Sequence, residues 1–233
     1  MTTDLELSAF TPTHSAPPAL RADDIHVRWV MPEIFHDIPV HETDDDEAVR
    51  LLEELAEKAL PEAADDDRTR FAVICALGFD DLLAAGVEYA GICVTAVDET
   101  PCTATVFASL MDSPEVDGGV PAVVKVLAST FRRLDGADVS EVELPCGPAV
   151  VCIGTRESKL TGELTESGQS LAFPTGYIRV YVPLPNGTTV AMEMSTPTME
   201  GWDVFSTMFG NTASSIRLFT ADGSPLITAG TGR

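Results

Sequence analysis

Tyr177-Ile178-Arg179-Val180-Tyr181-Val182-Pro183-Leu184 and Thr188-Thr189-Val190-Ala191-Met192-Glu193-Met194-Ser195 flank the dipeptide Asn186-Gly187. Both flanks are rich in β-branched and aromatic residues, and Asn-Gly tolerates the positive φ angles of a type I′ turn. The stretch predicts a β-hairpin. Two more hairpins are expected upstream. One joins Val87–Val97 to Cys102–Met111 through a four-residue turn at Asp98-Glu99-Thr100-Pro101; the other joins Val139–Leu144 to Ala149–Gly154 around Pro145-Cys146-Gly147-Pro148. Residues Ile25–Met31 read as a further strand, stopped by Pro32, and Arg156–Gly168 reads as a polar, exposed loop.

Between the hairpins the apolar period changes from two to 3.6. Ala48, Leu52, Leu55, Ala56 and Ala59 form a helical stripe after Asp44-Asp45-Asp46-Glu47, whose charges complement a helix N-terminus. Asp46 with Arg50, and Glu54 with Lys58, are at i,i+4 spacing. Asp65-Asp66-Asp67 opens a second helix through Phe71, Ile74, Cys75 and Leu82, weakened at Gly78 and stopped at Gly86. A third runs through Val120, Val123, Val124, Leu127, Phe131 and Leu134, with Gly136 as its C-cap. Thr196 and Pro197 suit the N-cap and first position of a terminal helix with the face Trp202, Phe205, Phe209 and Ile216.

Hairpins interleaved with amphipathic helices, without strict βαβ alternation, make this an α+β chain with an antiparallel sheet flanked by helices. A flexible N-terminal arm over 1–23, one domain over 24–220 and a flexible tail over 221–233 are expected. At 233 residues, with 45% hydrophobic and 22% charged side chains, the chain is apolar enough to fold.

Fourteen Lys and Arg against 37 Asp and Glu leave a net charge of −23. Such a field repels phosphate backbones and anionic headgroups, so neither nucleic acid nor a membrane surface is expected as a partner. The chain opens Met-Thr-Thr-Asp-Leu-Glu-Leu, without a basic region or apolar run, and a cytoplasmic location is expected. Five cysteines, Cys75, Cys93, Cys102, Cys146 and Cys152, form no CxxC pair, so neither a disulfide framework nor a metal site is indicated. They read as core residues, with Cys146 in its turn the one thiol whose exposure the sequence leaves open.

No catalytic or cofactor motif emerges. Ser167-Gly168-Gln169-Ser170 lacks the second glycine of a nucleophile elbow, and Gly154–Lys159 lacks the spacing of a phosphate loop. His36, Asp37 and His41 supply a base and an orienting carboxylate with Cys75 or Cys93 as a conceivable thiol, but nothing in the sequence brings them together. No cofactor is expected, and catalytic residues are assigned to none. The acidic runs lack the alternating ligands of a calcium loop. Residues 42–67 nevertheless hold twelve carboxylates against two cations, Arg50 and Lys58, a local net of −10. Asp44, Asp45, Asp46, Glu47, Asp65, Asp66 and Asp67 are therefore the candidate contact residues for a basic protein partner.

Leu144-Pro145-Cys146-Gly147-Pro148-Ala149, Tyr181-Val182-Pro183-Leu184-Pro185 and Met194-Ser195-Thr196-Pro197, followed by a helix ending near Ile216, resemble a group of uncharacterised actinobacterial cytosolic proteins. The order hairpin, Ser-Thr-Pro, helix also resembles the closing elements of the PsbP-like α/β/α sandwich. The resemblance spans 141–219 and implies an antiparallel sheet flanked by helices, in a fold used mostly for binding and scaffolding. It carries no functional residues. The sequence thus favours a non-enzymatic cytosolic binding or accessory protein that docks a basic partner through an acidic surface. The alternatives are an enzyme or small-molecule binder with a site between sheet and helices, and a structural homo-oligomer subunit pairing through a hairpin edge.

Overall fold

The computed structural model describes residues 18–134, 137–162, 165 and 168–226. Ten strands and five helices run β1 (Ala19–Ala22), β2 (Ile25–Arg28), β3 (His36–Asp37), α1 (Asp45–Ala59), α2 (Asp65–Leu77), α3 (Phe79–Ala84), β4 (Val87–Val97), β5 (Thr100–Asp112), α4 (Gly119–Leu134), β6 (Asp138–Leu144), β7 (Gly147–Leu160), β8 (Leu171–Pro183), β9 (Thr188–Thr196), α5 (Trp202–Ser214) and β10 (Arg217–Thr220). The chain is an α+β fold with an all-antiparallel seven-stranded sheet in the order β3-β4-β5-β9-β8-β7-β6.

The β8–β9 hairpin lies at the centre, and its two faces carry different chemistry. Ile178, Val180, Val182, Val190, Met192 and Met194 point one way and are buried against Phe205, Phe209 and Ala213 of α5. The same core takes in Leu20, Val27, Trp29 and Leu218 from the small sheet β1-β2-β10, so α5 and that sheet together cover this face. Across the opposite face a ladder row runs Ala90, Phe107, Glu193, Arg179, Cys152, Val139 from β4 to β6. Its two ends are apolar. Ala90 and Phe107 pack with Leu52 and Leu55 of α1 and with Phe71 and Phe79 of α2 and α3. Cys152 and Val139 pack with Val123, Val124 and Leu127 of α4, where Phe131 stacks on Tyr181 at 4.3 Å between centroids. The middle of the row is charged.

Several local expectations need correcting. Part of the arm expected over 1–23 is strand β1, which pairs with β2; residues 1–17 lie outside the described residues. Of the expected tail, 221–226 folds back, the amide of Leu226 donating to Leu218 at 2.8 Å, and 227–233 lie outside the described residues. Asn186-Gly187 does form a hairpin, but of another turn type. Pro185 sets a negative φ, Gly187 alone takes a positive one (86°), and the Gly187 amide donates to Leu184. The Asn186 side chain instead donates to the Ala22 carbonyl at 2.9 Å, tying the turn to β1. The true two-residue turn with positive φ at both positions is Asp98-Glu99 (48° and 66°), shorter than the four residues expected.

Residues 156–160 are strand and not loop, because Leu171–Thr175 pairs with them; this two-stranded ribbon extends past the end of β9 at Thr196. Gly78 splits the expected second helix into α2 and α3. The terminal helix begins at Trp202 and not Pro197, since the Thr196 and Thr198 hydroxyls are engaged by Thr103 of β5 and a 3₁₀ turn, Met199–Gly201, intervenes. Gly136 lies outside the described residues. The sheet edges are poor templates for further pairing: β3 has two residues, and β6 carries Asp138, Glu141 and Glu143.

A glycine is required where the 3₁₀ turn meets α5. A Cβ at Gly201 would lie 2.5 Å from the fully buried Phe205 ring and 3.3 Å from Cys102. Gly201→Ala is expected to cost about 1–3 kcal/mol in urea unfolding. Gly210→Ala, in the exposed middle of the same helix with open space around it, is expected to add about 0.5–1 kcal/mol.

Candidate functional site

The acidic residues singled out by the sequence are divided between two helix starts. Asp44 is the N-cap of α1, accepting the Glu47 amide at 3.0 Å, and Asp45, Asp46 and Glu47 fill the first turn. Asp65, Asp66 and Asp67 fill the first turn of α2. That turn adjoins the other end of α1, because Arg68 donates to the Leu60 carbonyl at 3.0 Å and also to Pro61. The two clusters are thus separated by the length of α1, about 20 Å at 1.5 Å per residue. They do not converge on one point.

Helix ends and local cations absorb part of this charge. Arg50 is held by Glu47 and Glu54, and not by Asp46 as spacing implied; Lys58 lies 3.9 Å from Glu54, while Asp65 faces Arg68 at 3.7 Å and Asp67 faces Arg70 at 3.9 Å. Apart from Arg68, which is partly buried, these groups are exposed to solvent, which screens the pairs. The apolar neighbours are more unusual. Neither α2 nor α3 has a buried residue, and Val73, Ile74, Leu77 and Leu83 are exposed, Leu77 at 60%. Phe71, Ala72, Cys75, Phe79 and Leu82 make the inward contacts. In sequence, Val73, Ile74 and Leu77 fall between the acids of the first turn and Asp80 and Asp81 of α3, and Leu83 follows that pair. Periodicity alone had assigned Ile74 to the inward face; splitting of the helix at Gly78 and the shallow seating of α2 leave it 38% exposed.

The charged centre of the ladder row forms a second locality, assembled from three strands and invisible in the sequence. Glu193 of β9 accepts from Arg156 of β7 at 2.6 Å and from Arg179 of β8. Both guanidinium groups lie over the Tyr177 ring, at 5.4 and 4.9 Å from its centroid. Tyr177 fits only because its ladder partner is Gly154, where a Cβ would come within 2.8 Å of the phenol oxygen. Burial works against the charge on Arg179, but Glu193, with Tyr181 adding a further hydrogen bond, more than offsets it, and the Arg179 pKa is raised. Beside Arg156, on the paired strand, Thr175 is 5% exposed and its hydroxyl has no hydrogen-bond partner.

The histidine and thiol groups do not form a nucleophile site. Burial, with the charge of Lys58 adding to it, holds His36 below its ordinary pKa against the opposing Asp37 carboxylate, and Asp37 accepts from the Tyr89 hydroxyl at 2.8 Å. His41 is directed instead to the Glu88 carbonyl at 3.1 Å. Cys93 is fully buried, and Cys146, whose exposure the sequence leaves open, is buried as well, at 5% exposure. Cys146 points inward with Val142 and Leu144 into the main core. Burial pushes the thiols of Cys75 and Cys146 up to about 11 and that of Cys93 up to about 12. All three remain protonated near neutrality and are weak nucleophiles. Among the described residues, no group of three or more His, Cys, Asp or Glu side chains is placed to hold a metal ion, and no helix is long and apolar enough to cross a membrane.

No family model matches the chain, and no curated protein matches it. Among solved structures it is similar to LpqN, described as involved in cell envelope biogenesis of Mycobacterium tuberculosis, at a TM-score of 0.38 and 10% identity, over 88% of this chain and 92% of that one. At that level the likeness assigns neither family nor activity.

The buried thiols make a pH prediction. Each binds its proton more tightly folded than unfolded, so their contribution to stability is complete below the ordinary thiol value of 9.0 and is lost as pH rises from there toward about 12. The urea midpoint is expected to decline above pH 9, and less steeply in Cys93→Ala once compared with that variant's own midpoint at pH 7.

Proposed function

We propose that the protein is a non-enzymatic binding or accessory protein of the cytoplasm, whose α1–α3 lobe docks a basic protein partner. The observation that supports this reading most is the run of exposed Val73, Ile74 and Leu77 after Asp65–Asp67 and before Asp80–Asp81, with exposed Leu83 just beyond. Exposed acids alone are ordinary solvated surface, and scattered apolar residues are normal. Exposed apolar side chains among carboxylates, on helices with no fully buried residue, favour a partner with an apolar anchor and a rim of Lys or Arg. Of the acidic residues, Asp65, Asp66 and Asp67 adjoin this surface, and Asp44, Asp45, Asp46 and Glu47 belong to the distant end of α1, where their part is long-range attraction. We also read the architecture as PsbP-like, on the strength of its closing hairpin, Ser-Thr-Pro and helix order and of an antiparallel sheet with helices on both faces.

The test immobilises wild type, the rim variant D65N/D66N/D67N and the anchor variant V73S/L77S, and passes a cell extract over each at low salt. A basic protein held stoichiometrically by wild type is then purified and its kinetics measured. The rim variant should slow association about tenfold and flatten its dependence on salt, while the anchor variant should speed dissociation. Equal binding to wild type and both variants would overturn the proposal.

A further inference from the structure

The outermost strands of the seven-stranded sheet are guarded, but the ribbon that projects from it has edges of its own. β6 begins at Asp138, opposite Ile153, and β9 ends at Thr196, opposite Gly176. Beyond these points residues 155–160 of β7 and 171–175 of β8 pair only with each other among the described residues. A two-stranded ribbon without further support is marginally stable. This one also leaves Leu171, in its last pair, 56% exposed.

Hydrogen-bond phase decides which residues face those edges. At the β8–β9 turn the Leu184 amide donates to the Thr188 carbonyl at 2.7 Å. Antiparallel partners alternate between bonded and non-bonded pairs, so even-numbered residues of β8 bond toward β9 and odd-numbered ones toward β7. The register of β7 with β8 is unbroken from Val150 opposite Tyr181 to Leu160 opposite Leu171. Even-numbered residues of β7 therefore bond back to β8, and Thr155, Glu157 and Lys159 turn their N–H and C=O groups outward. On the β8 side the outward position in mid-ribbon is Pro174, which has no N–H to offer. One edge is thus interrupted by a proline, while the β7 edge is open along its length.

We propose that this edge pairs with the same edge of a second copy of the chain, antiparallel about a twofold axis at Ser158. Glu157 and Lys159 are exposed, share one face of the ribbon, and have no ion-pair partner among the described residues. Outward-facing positions must meet in every bonded pair, so the axis passes through a residue and not between two. An axis at Arg156, Glu157 or Lys159 sets like charges against each other, and one at Thr155 or Leu160 leaves both Glu157 and Lys159 unmatched. At Ser158 it sets Glu157 opposite Lys159 of the second copy, and Lys159 opposite its Glu157. An edge lysine ordinarily discourages pairing; the glutamate two positions before it makes this edge complementary to itself. The two bonded pairs supply four main-chain hydrogen bonds, and each ribbon becomes half of a four-stranded sheet. So small a contact falls well below the roughly 1,600 Å² of a stable complex, and the dimer is weak.

The test is sedimentation equilibrium of the full chain at about 0.15 M salt, where long-range repulsion between two chains of net charge −23 is largely screened. A monomer–dimer equilibrium with a dissociation constant on the order of 100 μM is expected. E157K and K159E each set like charges at both pairs and should weaken the dimer about tenfold, whereas E157K/K159E should return it to within about twofold of wild type. E157K lowers the net negative charge, so overall repulsion does not account for its weakening. K159P removes an outward N–H that β8 does not use, and should abolish the dimer while leaving the urea midpoint near that of wild type. A chain that stays monomeric up to about 1 mM, or a dimer that K159P and both single charge variants leave intact, overturns the proposal. So does a dimer lost only in D65N/D66N/D67N, which places the contact at the acidic lobe.

Discussion

Met192 and Met194 of β9, with Ile178 and Val180 of β8, bury against Phe205 and Phe209 of α5, and the rest of the structure depends on that contact. It is tight enough to constrain sequence on both sides. Gly176 leaves room for Trp202 and Met199, and Gly201 leaves room for Phe205. Once α5 is seated on the sheet, its C-terminus delivers Ile216, fully buried, and β10 follows at once to pair with β2. Pairing brings Trp29 edge-on to Tyr89 at 5.3 Å, closing this face over β4. A helix packed near the chain's end thereby holds residues near its beginning. Such long-range closure resists local opening better than a meander of hairpins would.

The same alternation that buries one face exposes a choice on the other. Because successive strand residues point oppositely, Arg179 and Glu193 must face away from the methionine core, and a one-residue slip would bury both charges there. Glu193 opposite Arg179 in the ladder thus acts as a register marker. Breaking the pair costs more than forming it gains, since a partly buried charge would lose its counter-ion. The flanking helices cover apolar row ends and stop short of the centre, where side chains already satisfy one another in part. Charge at the middle of the row and separation of the two helix groups are one arrangement seen from two sides.

Most hairpins and helices follow from local periodicity, because alternation of Val, Ile and Tyr against polar residues, or of Leu and Ala at three and four, is a short-range property. Turn geometry is less local. Pro185 overrides the left-handed preference that Asn186-Gly187 would express alone, and pairing with Leu171–Thr175 draws the polar segment 156–160 into a strand. Strand β1 was hidden because Ala19-Leu20-Arg21-Ala22 has little intrinsic strand preference and gains its place from β2. The acidic candidates are legible as runs, yet their separation by α1 is tertiary. Arg156, Thr175, Arg179 and Glu193 are individually ordinary; only the register of three strands makes them neighbours.

Charge and cohesion also place the charged row and the docking lobe at different points on the stability scale. The row sits on the most heavily paired strands, where opening a residue means breaking ladders on both sides. The α2–α3 segment has no buried residue and meets the core through partly covered Phe71, Cys75, Phe79 and Leu82, so it belongs to the low-stability end of the molecule. Repulsion among Asp65, Asp66 and Asp67 adds to this, moderated by the helix dipole and by Arg68. A partner that covers Val73 and Leu77 and supplies cations at the rim removes both sources of instability together. Binding there would order the segment as well as occupy it, and part of the contact energy would be spent on that ordering. Such coupling favours a specific interaction of moderate strength over a permanent one.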